Sequence, residues 1–160
     1  MENKEWCNSE WLEKKHRELW GILSQAKVFL AKDEVYSAFN FADELPKFEE
    51  LTDVNEKFIL IKLKWTSCFA CGEALRRVLT KYSLDEEERN VDFLQADRAE
   101  KISRILQKYH PKCCSLCPLD WGRRTCEEIG TLYYVWNSTP DMEEYVEAAK
   151  KISELEWKEK

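Results

Sequence analysis

The stretch Phe58-Ile59-Leu60-Ile61-Lys62-Leu63-Lys64-Trp65-Thr66-Ser67-Cys68-Phe69-Ala70-Cys71 decides how this chain is read. It opens as a continuous apolar run and ends in alternation at Lys62 and Lys64. A short run of that kind, rich in β-branched and aromatic residues, reads as a strand buried in a sheet. After it, Leu75, Val78, Leu79 and Tyr82 recur at i, i+3, i+4 and i+7, the spacing of one helix face. Cys68 and Cys71 therefore stand where a strand hands over to a helix. Backbone N–H groups in a first helical turn have no intrahelical partner and carry the positive end of the dipole. That environment favours a thiolate at Cys68 and lowers its pKa from the free value of about 8.5. Cys71 lies one turn further in, placed to attack a mixed disulfide on Cys68 and release the partner.

Working outward, Asn8 or Ser9 is positioned to cap a first helix to about Lys32, with Leu12, Leu19, Leu23, Ala26 and Leu30 near a 3.6 period. Asp33 starts a shorter helix that Pro46 ends. Residues 47–57 are acidic and polar and read as a connector. Val91–Ala96 reads as a second strand, and Asp97 with Glu100 as a capping-box-like helix start. That helix carries Ile102, Ile105, Leu106 and Tyr109 and stops at Pro111. Thr131–Trp136 (TLYYVW) reads as a third strand, and Thr139-Pro140 as the start of a last helix with Met142, Tyr145, Val146, Ala149 and Ile152 on one face. The alternation predicts an α/β layer architecture: residues 1–50 as an N-terminal helical extension and 51–160 as one domain, with a Cys-rich loop at about 111–128.

The chain has 160 residues, 31 Asp+Glu against 25 Lys+Arg and a net charge of −6, with a pI of about 5.2. A generic nucleic-acid footprint needs a basic face, and an anionic membrane surface is a poor partner for an acidic protein. Arg123-Arg124 is too short a basic run to change that. The first twenty residues are dense in charge, so no signal-peptide apolar stretch is expected. The apolar stretches are too short to span a bilayer. The expectation is a cytoplasmic protein. Seven cysteines in a reducing compartment point to redox catalysis or metal binding more than to structural disulfides.

Residues 58–110 resemble the first half of a thioredoxin-like domain: apolar strand, the approach KWTS, CFAC, amphipathic helix, the strand VDFLQAD, and a helix ending in KYHP. The resemblance implies a three-layer α/β/α fold and a thiol–disulfide oxidoreductase. Carried over by position, it makes Cys68 the attacking thiol, Cys71 the resolving thiol and Trp65 the aromatic near the substrate. The family's cis-proline, which aligns the substrate chain, falls on Pro118; if 111–128 is an insertion, Gly130 stands there instead. Phe69-Ala70 replaces the family's common Gly-Pro, and Lys62 stands where its buried acid does. The implied partner is a disulfide-containing protein or a small thiol, with no cofactor.

Cys113, Cys114, Cys117 and Cys126 form a second cluster, and Cys114-Ser115-Leu116-Cys117 is a second CxxC. Three readings stay open: a second disulfide pair or relay, a Zn²⁺ or iron–sulfur site using these residues with or without Cys68, Cys71 and His110, and cysteines with no shared role. Cys7 reads as an idle exposed thiol. His16 reads as solvated, and His110 as a helix-end residue facing the negative end of a dipole. Trp6, Trp11 and Trp157 near the chain ends suggest a partner-docking surface on the N-terminal helices, which would make the domain an interaction module.

Overall fold

The computed structural model describes residues 6, 8–38, 41–93, 98–121, 126 and 128–158. Every regular element in them is helical. The order is α1 (Ser9–Leu23), α2 (Lys32–Ala38), α3 (Val54–Thr66), α4 (Phe69–Tyr82), α5 (Glu86–Arg89), α6 (Arg98–Leu116), α7 (Leu132–Ser138) and α8 (Met142–Glu154). Short 3₁₀ turns lie at Phe41–Glu44 and Phe48–Glu50. No strand occurs among the described residues. The α/β, thioredoxin-like expectation is therefore overturned: this is an all-α protein.

The reversal starts at residues 58–65. They form the body of α3, not a strand. Asp53 caps this helix, its Oδ1 accepting from the Asn55 N–H at 2.8 Å and the Glu56 N–H at 3.3 Å. The cap adds Val54 and the polar residues 55–57 to the apolar run and gives thirteen helical residues. Phe58, Ile59, Leu60, Lys62 and Leu63 are all buried, and Ile61 packs on the same core. A helix covered nearly all round shows no amphipathic period, so its sequence imitates a buried strand. TLYYVW is likewise helical, as α7. Thr131 Oγ1 accepts from the Tyr134 N–H at 3.0 Å and caps it. The expected strand at 91–96 is not one over Val91–Phe93; residues 94–97, including the Asp97 cap, lie outside the described residues.

Other boundaries move for local reasons. Helix α1 is capped by Asn8, whose Oδ1 accepts from the Trp11 N–H at 2.8 Å. It ends at Leu23, where Ser24 turns back to donate to the Gly21 carbonyl at 2.6 Å. Pro111 does not stop α6. The helix runs through it to Leu116, although proline supplies no N–H to the turn before. Buried Ile102, Leu106, Tyr109 and Cys113 continue one stripe past the proline, and that packing offsets the lost bond. The cap of α8 is Asp141, not Thr139.

Helix α4 is the hub. It packs against α1, α3 and α6, while α1 also packs on α8 and α8 on α7. The buried side chains from Trp6 to Ile152 form one cluster. The tryptophans near the chain ends take part in it: Trp6 is buried, Trp11 meets Phe69 edge-on at 5.8 Å, and the Trp157 Nε1–H donates to Ser9 Oγ at 2.9 Å. No helix among the described residues is long and apolar enough to cross a membrane.

Candidate functional site

Helices α3 and α4 are joined by two residues. Ser67 takes a left-handed conformation (φ 51°), and its N–H donates to the Leu63 carbonyl at 2.9 Å, closing α3. Thr66 Oγ1 donates to the Lys62 carbonyl at 2.8 Å and accepts the Cys68 N–H at 3.2 Å. The turn thus fixes Cys68 as the N-cap of α4. Its Sγ accepts from the Cys71 N–H at 3.3 Å, the role a serine or aspartate oxygen usually fills. A cap position accepts hydrogen bonds, so it favours sulfur as the anion.

The surroundings act in the same direction. The Cys71 side chain hydrogen-bonds to Cys68, and this contact does most to hold the Cys68 thiol well below its ordinary value. Burial opposes it; the Lys32 ammonium and the backbone N–H groups of Cys71 and Ala70 reinforce it. Cys71 moves the other way. It is pushed up by its hydrogen bond to Cys68, by burial and by the Cys68 charge. Burial alone would lower Lys32, but the thiolate character of Cys68, with Tyr133 and Cys71, raises it overall. The Lys32 ammonium also sits 4.7 Å above the Tyr133 ring.

Both thiols open onto a cavity of about 300 Å³. The continuation of α6 past Pro111 brings the second cluster to the same space: His110, Cys113, Cys114 and Cys117 follow at i, i+3, i+4 and i+7 and all line it. Residues 111–116 of the expected Cys-rich loop are therefore helix. Cys126 lines the cavity from the far side of the chain segment 122–125, which lies outside the described residues. Lys32, Lys62, His16 and Thr66 complete the polar lining, and Trp20, Leu119, Trp121 and Tyr133 supply apolar wall. His110 Nε2 is 3.7 Å from Cys114 Sγ. Burial pushes the Cys113 thiol up to about 11.

The six described cysteines are free thiols, so the expected redox-active disulfide is not formed among them. No group of three or more His, Cys, Asp or Glu side chains among the described residues is gathered closely enough to hold a metal ion. Sulfur donors thus line the wall without converging. Trp65 is 53 % exposed on α3 and is not among the cavity's lining residues. Pro118 is buried with a trans peptide bond, and its carbonyl accepts the Lys158 N–H at 2.9 Å; it does not line the cavity either. Gly130 has a φ of 96° in the turn before α7. Cys7 lies outside the described residues.

Several site residues escaped the sequence reading. His16 is buried, not solvated; its Nε2–H donates to the Ile152 carbonyl at 3.3 Å. Lys32 looked like a helix end, and nothing local tied it to Cys68. Glu73 and Arg77 had a readable signal, the i, i+3, i+4 spacing of Glu73, Arg76 and Arg77. Glu73 is fully buried and accepts from Arg76 Nε at 2.6 Å and Arg77 Nε at 2.7 Å. Arg77 then donates through Nη1 to the Leu116 carbonyl at 3.3 Å. This chain of bonds holds the C-terminal end of α6, with its cysteines, against the start of α4.

No family model, no curated protein and no solved structure matches this chain.

Proposed function

We propose that this protein exchanges disulfides through Cys68 and Cys71. One observation carries the reading: Cys68 caps a helix, receives the Cys71 N–H and lies in the field of Lys32, while its neighbour keeps its proton. The Cys68 thiolate attacks one sulfur of a substrate disulfide. The new S–S bond joins Cys68 to one half, and the other half leaves as a thiolate. The charge on Cys68 disappears at that step, and so does much of what held the Cys71 proton in place. Lys32 then favours loss of that proton. The Cys71 thiolate attacks Cys68 Sγ, the second half leaves, and the protein holds a Cys68–Cys71 disulfide.

The test is exchange between the reduced protein and a chromogenic aromatic disulfide, followed by mass spectrometry. Wild type forms the intramolecular disulfide. Cys71→Ser stops at a stable mixed disulfide on Cys68. Cys68→Ser reacts at least about tenfold more slowly, the margin expected when the activated thiolate is removed. A Cys68→Ser protein that exchanges at the wild-type rate, with the label on Cys114 or Cys117, would move the chemistry to α6. Elemental analysis of the same preparation addresses the Zn²⁺ or iron–sulfur alternative directly. Stoichiometric metal released only on loss of Cys68 and Cys71 would replace the exchange reading.

A further inference from the structure

We infer that the disulfide exchanged here is a small one bearing carboxylates, bound in the cavity through Lys32 and Lys62, and not a disulfide on the surface of a folded protein. The inference rests on the exchange reading. Its own support is the charge and shape of the cavity. Acidic residues make up 31 of 160 in the chain, so a wall of seventeen residues would carry about three at random. Among the described residues it carries none, and it carries two lysines. Lys and Arg make up 25 of 160, so two lysines are no more than chance gives; what marks the wall, among the described residues, is cations without carboxylates.

The two lysines come from different elements, Lys32 at the start of α2 and Lys62 in α3. Lys62 is only 7 % exposed. Keeping an ammonium in so sheltered a place costs free energy unless an anion compensates it. The Cys68 thiolate accounts for Lys32 in the resting protein. A substrate carboxylate gives Lys62 its counter-charge. About 300 Å³ lies at the small end of ligand cavities and suits a molecule of amino-acid size. Trp20, Trp121 and Tyr133 wall it, with Tyr133 edge-on to Trp20 at 6.2 Å and to Trp121 at 6.4 Å. Cys68 lines this cavity, whose volume of about 300 Å³ takes a small disulfide whole but not the chain around one anchored on a folded protein. Overall, R–S–S–R takes two electrons and leaves as two thiols, and the Cys68–Cys71 dithiol becomes the disulfide. A dithiol reductant restores it.

The experiment uses three disulfides of similar size and different charge: 3,3′-dithiodipropionate, bis(2-hydroxyethyl) disulfide and cystamine. Single-turnover oxidation of the reduced full-length protein is measured for each. Every rate is divided by that of free dithiothreitol with the same disulfide, which removes intrinsic reactivity. The expected order is dianion, neutral, dication, with about tenfold or more between the ends at low ionic strength and a smaller ratio at high salt. Lys62→Met lowers the dianion-to-dication ratio at least about threefold, and Lys32→Met gives a second, independent reduction of the same ratio. Because ratios are compared, a general loss of reactivity in a variant does not mimic the effect. Equal or reversed ratios, or faster normalised oxidation by a folded protein disulfide, overturn the inference and leave thiol exchange standing. If none of the disulfides oxidises Cys68 faster than it oxidises dithiothreitol, the exchange reading itself fails.

Discussion

At the scale of single residues, the proposed exchange depends on one sulfur being unlike its neighbours. Cys68 and Cys71 share a turn and a cavity, yet their proton affinities are driven apart. Only Cys68 accepts a backbone N–H at its sulfur as the helix cap, and both feel Lys32. The thiolate is the nucleophile, so alkylation of Cys68 in a Cys71→Ser background reports the fraction ionised. Its pH midpoint is expected below the free-thiol value of about 8.5. Lys32→Met removes a stabilising charge and moves the midpoint upward by about one unit. Rates of iodoacetamide labelling from pH 5 to 10, with Cys68 quantified by peptide mapping, measure this. An unmoved midpoint on adding Lys32→Met would leave the helix cap and the hydroxyl donor at position 71 as the whole cause.

At the scale of elements, the site is a matter of how three helices meet. Gly72 lets α3, α4 and α1 approach. A Cβ there would lie 2.5 Å from Leu63 Cδ2 and 3.6 Å from Leu12 Cδ2. The Leu12 distance is an ordinary contact, but Leu63 is fully buried and would have to shift within a packed core. Gly72→Ala should cost about 1–3 kcal/mol by overpacking, despite alanine's better helix propensity. The urea midpoint measures the balance, and a gain in stability would contradict the close approach. The second device is Glu73. Replacing it with Gln leaves Arg77, only 11 % exposed, without its carboxylate, and breaking a buried pair from one side costs about 3–5 kcal/mol. Arg77→Met is the informative companion, because Glu73 retains Arg76 while the Leu116 carbonyl loses a donor. Faster amide exchange at 110–117, with little change near Leu75, is the expected result. The pH dependence has a definite sign. Burial raises the Glu73 carboxyl, but Arg76, Arg77 and Ser9 more than offset it and hold it below its ordinary value. Its contribution is complete above the ordinary carboxylate range and is lost as pH falls through the depressed value.

At the scale of the whole molecule, His16 joins the first helix to the last. Its Nε2–H reaches the Ile152 carbonyl, and its ring lies 5.5 Å from that of Trp157. Burial is the main cause that lowers its pKa to about 4. The unfolded chain takes up a proton near pH 6.5 that the folded chain refuses. Stability therefore falls as pH drops from about 6.5 to about 4, by about 3 kcal/mol in full. Urea midpoints over that range should show the slope in wild type. His16→Gln should lack it, since an amide still donates to Ile152 but does not titrate. Parallel slopes in the two proteins would show that His16 is charged in the folded state.

Much of the element pattern was legible in the residues themselves. The helix after Cys71 and the last helix follow from their apolar spacing, which survives because each shows one face to water. The capping positions of Asn8 and Cys68 follow from local chemistry. Residues 58–65 and 131–136 misled because burial all round, or aromatic density, erases the helical period that sequence reading relies on. Asp53 and Thr131 did carry cap signals that outweighed it. The gathering of Lys32, Lys62, His110 and six cysteines around one cavity had no local signature at all. It depends on α6 continuing through Pro111, and on α2, α3, α4 and α6 sharing one core. The sequence by itself determined an acidic chain rich in thiols, with a CxxC pair at a helix start. Only the tertiary structure decided that the fold has helices where strands were expected and that, among the described residues, the cavity holding the thiols is lined by lysines and no carboxylate. Helix caps act over three or four residues, whereas the charge around a sulfur is set by whatever the packing brings near it.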